Sequence, residues 1–240
     1  MRNLILALGV VALAGTAQAT DVKISLAELP NLSIKTADNK ADGPYPNLLK
    51  LIDEYYEGGS FEMEIFAFGR SLNNIQTGAA DAHVPLIQTA SGDGPNFQYV
   101  DEPLWNVTFV VYSRKDNPIS RDADFSKLKV DTLIGHEHFF DFKVGEVTSI
   151  ETGLKKLVNK RTDAFIKEQD IVDSMIKANG YDTVHRALYE VWGSSMILPK
   201  TPAGDALNVA MTEAIRAAKK DERYKPTAEK VHNPYNDWQP

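Results

Sequence analysis

Hydrophobic and polar positions alternate along this chain with two different periods. Apolar residues occupy every second position from Phe61 to Ile65, which predicts a half-buried strand ending near Phe66. Over 47–56 and 203–220 they recur every three or four residues, which predicts helices with one apolar face. Asn47 is the expected N-cap of the first of these helices.

The remaining segments show the same two periods. Strands are predicted over 22–29, 81–86, 106–113, 128–134, 163–166 and 194–198, and shorter helices over 70–77, 150–158 and 169–178. Strands alternating with helices predict an α/β fold with mostly parallel sheets. Two such sets, joined by strand 106–113 and rejoined by strand 194–198, predict two lobes with a ligand site between them. The polar tail 224–240 is expected to lie over the surface.

The first nineteen residues have the pattern of a secretory signal peptide. Arg2 is a positive n-region, an apolar run follows from Leu4 to Ala14, and Ala17–Gln18–Ala19 is a cleavage signature. The apolar run is shorter than the roughly 20 residues of a spanning helix, and no second stretch is long enough either. We therefore expect removal after Ala19 and a periplasmic protein without a membrane anchor, with secretion into the medium as the alternative.

Composition narrows the function classes further. The 240 residues include no cysteine, which excludes a disulfide framework, a thiolate metal site, a cysteine nucleophile and an N-terminal lipid anchor. Lys and Arg number 26 against 33 Asp and Glu, a net charge of -7, which argues against a nucleic-acid binder. Apolar residues at 43% and charged residues at 25% are typical of a folded globular protein.

Four short motifs resemble, in order and spacing, those of one known protein family. Gly43–Leu48 (GPYPNL) stands where that family has Gly-Phe-Asp-x-Asp-Leu, and Ile75–Ala82 (IQTGAADA) matches Leu-x-x-Gly-x-x-Asp-Ala. Phe97–Pro103 resembles the Phe-Ser/Thr-x-Pro segment before the hinge strand. Leu157–Ala164 (LVNKRTDA) matches the second-lobe Leu-x-x-Gly-Arg-x-Asp-Ala, with lysine in place of glycine. The family that the chain resembles is the periplasmic solute-binding proteins of the polar-amino-acid type.

The resemblance implies a type II periplasmic-binding-protein-like fold and a binding function. Lobe 1 would comprise 20–111 and 196–240, and lobe 2 would comprise 112–195. Such a protein captures a small polar solute between its lobes for an ABC-transporter permease or a membrane sensor protein. It is expected to be a monomer, without a cofactor and without enzymatic activity.

The same resemblance implies site residues and shows where this chain departs from the family. Glu168 stands where an acid commonly holds an α-ammonium group. Asp93 stands near the family's carboxylate-binding arginine, and His136 and Glu137 replace its Gly-Thr-Thr-like helix start. Because acids repel a carboxylate, the altered clamp implies a ligand other than a standard amino acid.

Further candidate residues follow from their chemistry. Glu28 ends the first strand and adds to an acidic cleft that favours cations, whereas Arg70 is a substitute anion donor. Imidazole and carboxylate groups suit zinc or similar ions, so one candidate metal group consists of His83, His136, His138, Glu137 and Glu168. The alternative is that these are loop or surface histidines. Two alternative functions stay open, a ligand-free accessory protein docking a periplasmic partner and a dehydratase-like enzyme with Glu168 as general acid.

Overall fold

A computed structural model describes residues 21–88 and 92–240, so the predicted signal peptide lies outside the described residues. The strands are β1 (Val22–Ala27), β2 (Ile34–Lys35), β3 (Ala41–Asp42), β4 (Phe61–Phe66), β5 (Ala82–Gln88), β6 (Phe97–Tyr99), β7 (Trp105–Arg114), β8 (Val130–Leu133), β9 (Gly145–Val147), β10 (Ala164–Glu168) and β11 (Val184–Pro199). The helices are α1 (Pro44–Asp53), α2 (Phe68–Gln76), α3 (Ile150–Val158), α4 (Gln169–Asn179), α5 (Pro202–Ala218) and α6 (Tyr224–Ala228). Two 3-10 turns lie at Phe125–Lys127 and Glu137–Phe139.

One sheet runs through both lobes. Within the described residues its strand order is β4-β1-β5-β11-β7-β10-β8-β9, with β6 paired to β11. The outer strands of each lobe are parallel, β4-β1-β5 in lobe 1 and β10-β8-β9 in lobe 2. Between them lie the long antiparallel strands β7 and β11, which cross from one lobe to the other. The predicted α/β fold, with mostly parallel sheets in two lobes that are joined by two hinge strands, is confirmed.

Each lobe has its own apolar core. In lobe 1, the sheet packs against α1, α5 and α6 through residues such as Leu26, Leu49 and Met211. In lobe 2, α3 and α4 cover one face of the sheet, and the aromatic loop 139–144 packs near its other face. The lobe boundaries at 111 and 195 stay a prediction, since β7 and β11 run through both lobes without a break.

The first helix begins earlier than predicted. It starts at Pro44 with Gly43 as N-cap, so the assignment of Asn47 as the N-cap is wrong. Gly43 has φ 118°, and a Cβ there would lie 2.7 Å from the carbonyl oxygen of Leu32. The Tyr45 amide donates to this same carbonyl at 3.0 Å. A tertiary contact therefore fixes where the helix starts, and only glycine fits at its N-cap.

Two further elements differ from the sequence prediction. Strand β11 has 16 residues and begins ten residues before the predicted strand 194–198. The tail contains a short helix, α6, and its Tyr224 and Val231 are buried in the lobe 1 core rather than lying over the surface. Among the described helices, none is both long and apolar enough to cross a membrane.

Candidate ligand cleft

A cavity of about 610 Å³ lies between the two lobes. Lobe 1 contributes the loop 29–32, the start of α2 and the segment 85–87, and lobe 2 contributes the loop at His136 and the first turns of α4. All of these segments except 85–87, which lies within β5, follow the ends of β1, β4, β8 and β10, as expected for ligand sites of open α/β sheets. The cavity is therefore the candidate ligand site.

Most of the cleft wall is apolar. Its apolar lining consists of Leu29, Pro30, Leu32, Phe68, Pro85, Leu86, Ile87, Phe139, Ile171 and Val231. Phe68 of lobe 1 and Ile171 of lobe 2 both line the cavity. Their side chains are 43% and 53% exposed, which are high values for large apolar residues. Exposed apolar side chains that line a cavity are typical of a small-molecule site, because a ligand can remove them from water.

Three ionisable side chains meet at the lobe 2 side of the cavity. Lys167 and Glu168 end strand β10, and their side chains form an ion pair although both are largely buried. The Lys167 ammonium lies 3.3 Å from each ring nitrogen of His136. His136 Nε2 is 4.0 Å from Glu168 Oε1. Lys167 and Glu168 can sit here because each supplies the other's counter-charge.

The charges of this trio compensate each other at neutral pH. Burial, reinforced by the positive charge of Lys167, lowers the pKa of His136 to about 4. Burial also lowers the pKa of Lys167, against the attraction of Glu168. Burial raises the pKa of Glu168, but Lys167 and His136 outweigh it and hold that pKa below its usual value. The trio thus holds one positive charge, one negative charge and a neutral imidazole.

A second polar group lines the cleft where the lobes meet. Tyr45 Oη contacts Ser194 Oγ at 2.6 Å and His232 Nε2 at 3.1 Å. His232 Nδ1 is 3.4 Å from Asp170 Oδ2, in the first turn of α4. Tyr45 belongs to lobe 1 and Asp170 to lobe 2, so His232 connects the lobes at the cleft.

The sequence candidates Glu168 and His136 line this cavity, whereas His83 lies behind its wall. His83 is fully buried, with Nδ1 2.7 Å from Ser71 Oγ and its ring edge-to-face with Phe68. Burial lowers the pKa of His83 to about 4, so its ring is neutral. The Phe68 ring separates His83 from the cleft.

Arg70 and Asp93 do not line the cleft. The Arg70 guanidinium lies over the Phe66 ring, 4.9 Å from its centre, on the exposed side of α2. Asp93 Oδ1 accepts a hydrogen bond from the Tyr99 amide at 2.9 Å, and its other oxygen is 3.5 Å from Lys200 Nζ. Both side chains therefore contact other residues of lobe 1 and not the cavity.

Glu28 and Glu137 are exposed and also lie outside the cavity lining. Glu28 directly precedes the lining residue Leu29, and Glu137 lies on the 3-10 turn between His136 and Phe139. Both acids of the described cleft lining have partners, Lys167 for Glu168 and Asn233 for Asp170, and the acidic cleft that favours cations stays a prediction. Within residues 21–88 and 92–240, no three His, Asp or Glu side chains are placed to hold a metal ion.

Several cleft residues are not among the sequence candidates. Lys167 gave a signal, because a lysine inside an otherwise apolar strand needs a counter-charge and an acid follows it directly. The sequence gives no such signal for Phe68, Phe139 and Ile171, because an apolar residue in a helix or turn is expected to belong to the core. His232 lies in a tail whose path depends on tertiary contacts.

Comparison with known proteins gives matches in structure only. No protein-family model matches the chain, and no curated protein sequence is similar to it. The L-cystine solute receptor of Neisseria gonorrhoeae, unliganded and open, has a TM-score of 0.63 at 18% identity, covering 91% of this chain and 95% of that one. A histidine kinase sensor domain described as similar to periplasmic binding proteins has a TM-score of 0.62 at 14% identity, covering 90% and 97%.

The GluR0 ligand-binding core of Nostoc punctiforme, in complex with L-glutamate, has a TM-score of 0.59 at 19% identity, covering 89% of this chain and 100% of that one. Other structural neighbours are amino-acid-binding proteins of ABC transporters and arginine-binding proteins. These similarities extend over both lobes. The chain therefore has the type II periplasmic-binding-protein-like fold.

Proposed function

We propose that this protein is a periplasmic solute-binding protein, which closes its two lobes around one small molecule for an ABC importer or a membrane sensor. The observation that carries the proposal is the cavity of about 610 Å³ between two lobes of this fold, lined from both sides. Ligands of such two-lobed folds bind at the interlobe cleft, and closure then removes them from water.

The ligand we propose has an apolar body. Ten of the lining residues are apolar, and two of them, Phe68 and Ile171, have exposed side chains. Covering them with a ligand releases free energy in proportion to the apolar area removed from water, about 25 cal/mol per Å². A small, wholly polar solute would leave this area without a matching surface.

The ligand we propose also carries no net charge and is not a standard amino acid. The described part of the cleft lining contains no arginine, and its lysine is paired with Glu168. Its second acid, Asp170, accepts a hydrogen bond from Asn233 and faces His232. A buried charged ligand needs a counter-charge, because desolvation of an unpaired ion is costly. Lys167, Glu168 and His136 instead offer hydrogen-bonding atoms with no net charge, which suits an amide, an alcohol or a similar polar head.

A thermal-shift experiment with matched probes tests the proposal. Benzamide, benzoate and benzylammonium share one ring and differ in charge, and isovaleramide, isovalerate and isoamylammonium form the aliphatic counterpart. We expect an amide to give the largest shift, about 5 to 10 °C at about 100 times its Kd. The twenty amino acids complete the panel.

Two matched variants locate the binding. Ile171→Ala removes an exposed cleft side chain and is expected to weaken the shift, while Val209→Ala removes a similarly exposed one on α5, outside the cavity, and should not. A largest shift with an amino acid or a carboxylate would contradict the proposed ligand class. No shift with any probe would count against solute binding itself and favour the docking alternative.

A further inference from the structure

The C-terminal residues cross from lobe 1 to lobe 2 beside the cleft. Ala228 and Val231 are buried in the lobe 1 core. A few residues later, Tyr235 and Trp238 pack against the lobe 2 core. The chain thus passes between the lobes at 232–234, a third crossing in addition to β7 and β11.

On lobe 2 the tail is held by a built docking site. Arg186, with a fully buried side chain, donates to the carbonyl oxygens of Asn236, at 3.2 Å, and of Trp238. Gln239 exchanges two hydrogen bonds with the Arg186 backbone, at 3.0 and 2.9 Å. The Lys177 ammonium lies over the Trp238 ring, 4.3 Å from its centre. A fully buried arginine that donates to tail carbonyls indicates that the tail is an integral part of lobe 2 packing.

At the crossing point, His232 is held from both lobes. Its carbonyl accepts a hydrogen bond from Trp105 Nε1 at 2.9 Å, and its Nε2 meets Tyr45 Oη. On the lobe 2 side its Nδ1 faces Asp170, which also accepts a 2.7 Å hydrogen bond from Asn233 Nδ2. Tyr45, Asp170 and His232 all line the cleft. A rotation that opens the cleft must therefore stretch or break the His232 contacts.

We propose that residues 231–240 form a strap that joins lobe 2 to lobe 1 at the cleft and limits how far the lobes open. Strands β7 and β11 lie side by side, so by themselves they allow the lobes to bend about one axis. The third crossing lies at the cavity lining, where the opening displacement occurs. Ligand entry is then coupled to release of His232 from Tyr45 or Asp170. The strap acts with or without a ligand, so its test is independent of the proposed function.

The absence of cysteine from the chain makes a distance measurement direct. Spin labels at Val209→Cys on α5 and Glu151→Cys on α3 report the distance between the lobes, and both positions are exposed. Double electron–electron resonance is recorded without ligand on the full chain, on His232→Ala and on Tyr45→Phe. His138→Ala, an exposed histidine of lobe 2 outside the strap, is the matched control.

We expect a narrow distribution for the full chain and for His138→Ala. His232→Ala and Tyr45→Phe should each gain a population with a longer distance between the labels. The ratio of open to closed molecules should rise roughly two- to tenfold, which is the effect of one or two lost hydrogen bonds. A chain ending at Lys230 should show the longer distance as its main population, and its thermal unfolding reports whether it folds. Unchanged distributions in His232→Ala and Tyr45→Phe would overturn the strap, whatever the truncated chain does.

Discussion

At the scale of single residues, the cleft is shaped by two charges that depend on each other. The side chain of Lys167 is 4% exposed and that of Glu168 13%, so neither is solvated well enough to stand alone. A buried ion whose partner is removed keeps its desolvation cost and loses the compensating attraction. This dependence is measurable as a coupling free energy between the two positions.

A double-mutant cycle tests that coupling. Lys167→Met leaves Glu168 without a counter-charge, and Glu168→Gln leaves Lys167 without one, so each single variant is expected to lower the free energy of unfolding by about 3 kcal/mol. The double variant should lose clearly less than the sum of the two, because it contains neither unpaired ion. Urea denaturation at pH 7 gives the three values, and simple additivity would contradict the pairing.

Two neutral histidines make the stability depend on pH. Burial lowers the pKa values of His83 and His136 from 6.5 to about 4. Between pH 6.5 and 4 the unfolded chain therefore binds protons that the native protein does not. The free energy of unfolding is highest above pH 6.5 and falls as the pH decreases, by up to about 1.4 kcal/mol per pH unit for each histidine.

His83→Gln separates this effect from the titration of carboxylates. We expect the slope of unfolding free energy against pH, measured between pH 6 and 5, to decrease by about 1 kcal/mol per pH unit in the variant. Between pH 7.5 and 8.5 the two proteins should have parallel curves, because neither histidine changes its charge there. Equal slopes from pH 6 to 5 would mean that His83 is protonated in the native protein.

At the scale of elements, the sequence predicts segments whose formation is local and misses those that tertiary contacts determine. Helix α3 was predicted to the residue, because its apolar periodicity is clear and Ser149 caps its N-terminus. Helix α1 starts three residues early because its first turn depends on Gly43 approaching the Leu32 carbonyl. The predicted strand 194–198 is shorter than β11 because the first ten residues of β11, with Arg186, Glu190 and Gly193, lack an alternating apolar pattern.

The candidate site follows the same division. Glu168 and His136 could be named from the sequence because a strand end and a loop at family-like spacing place them. The charge states of Glu168 and His136 could not be predicted from the sequence. They depend on Lys167, whose side chain contacts both residues only in the folded lobe. Phe139 and Ile171 could not be predicted as cleft residues either. An apolar residue lines the cleft and not the core only because the opposite lobe does not pack against it, and the sequence does not show this.

At the scale of the whole molecule, one buried side chain joins a sheet strand, a helix and the tail. Arg186 lies in β11, its Nη2 is 2.7 Å from Asp173 on α4, and it donates to the strap carbonyls. Burial raises the pKa of Asp173, against the effects of Tyr112 and Arg186, so the carboxylate relies on this pairing. Arg186 therefore stabilises lobe 2 and holds the strap by the same set of contacts.

Arg186→Met should separate the strap from lobe 2. The variant leaves the strap carbonyls without their donor and Asp173 without its counter-charge, with only the Tyr112 hydroxyl still donating to it, so we expect a loss of about 3 to 5 kcal/mol in the free energy of unfolding. Amide hydrogen exchange, followed by mass spectrometry, should become fast in 233–240 and in α4 while the lobe 1 strands keep their protection. Arg121→Met is the control, since it removes only the exposed 3.2 Å ion pair with Glu190 and should cost less than about 1 kcal/mol. Protection of 233–240 equal to that of the unmodified chain would mean that Tyr235 and Trp238 alone hold the strap, through their packing on the lobe 2 core.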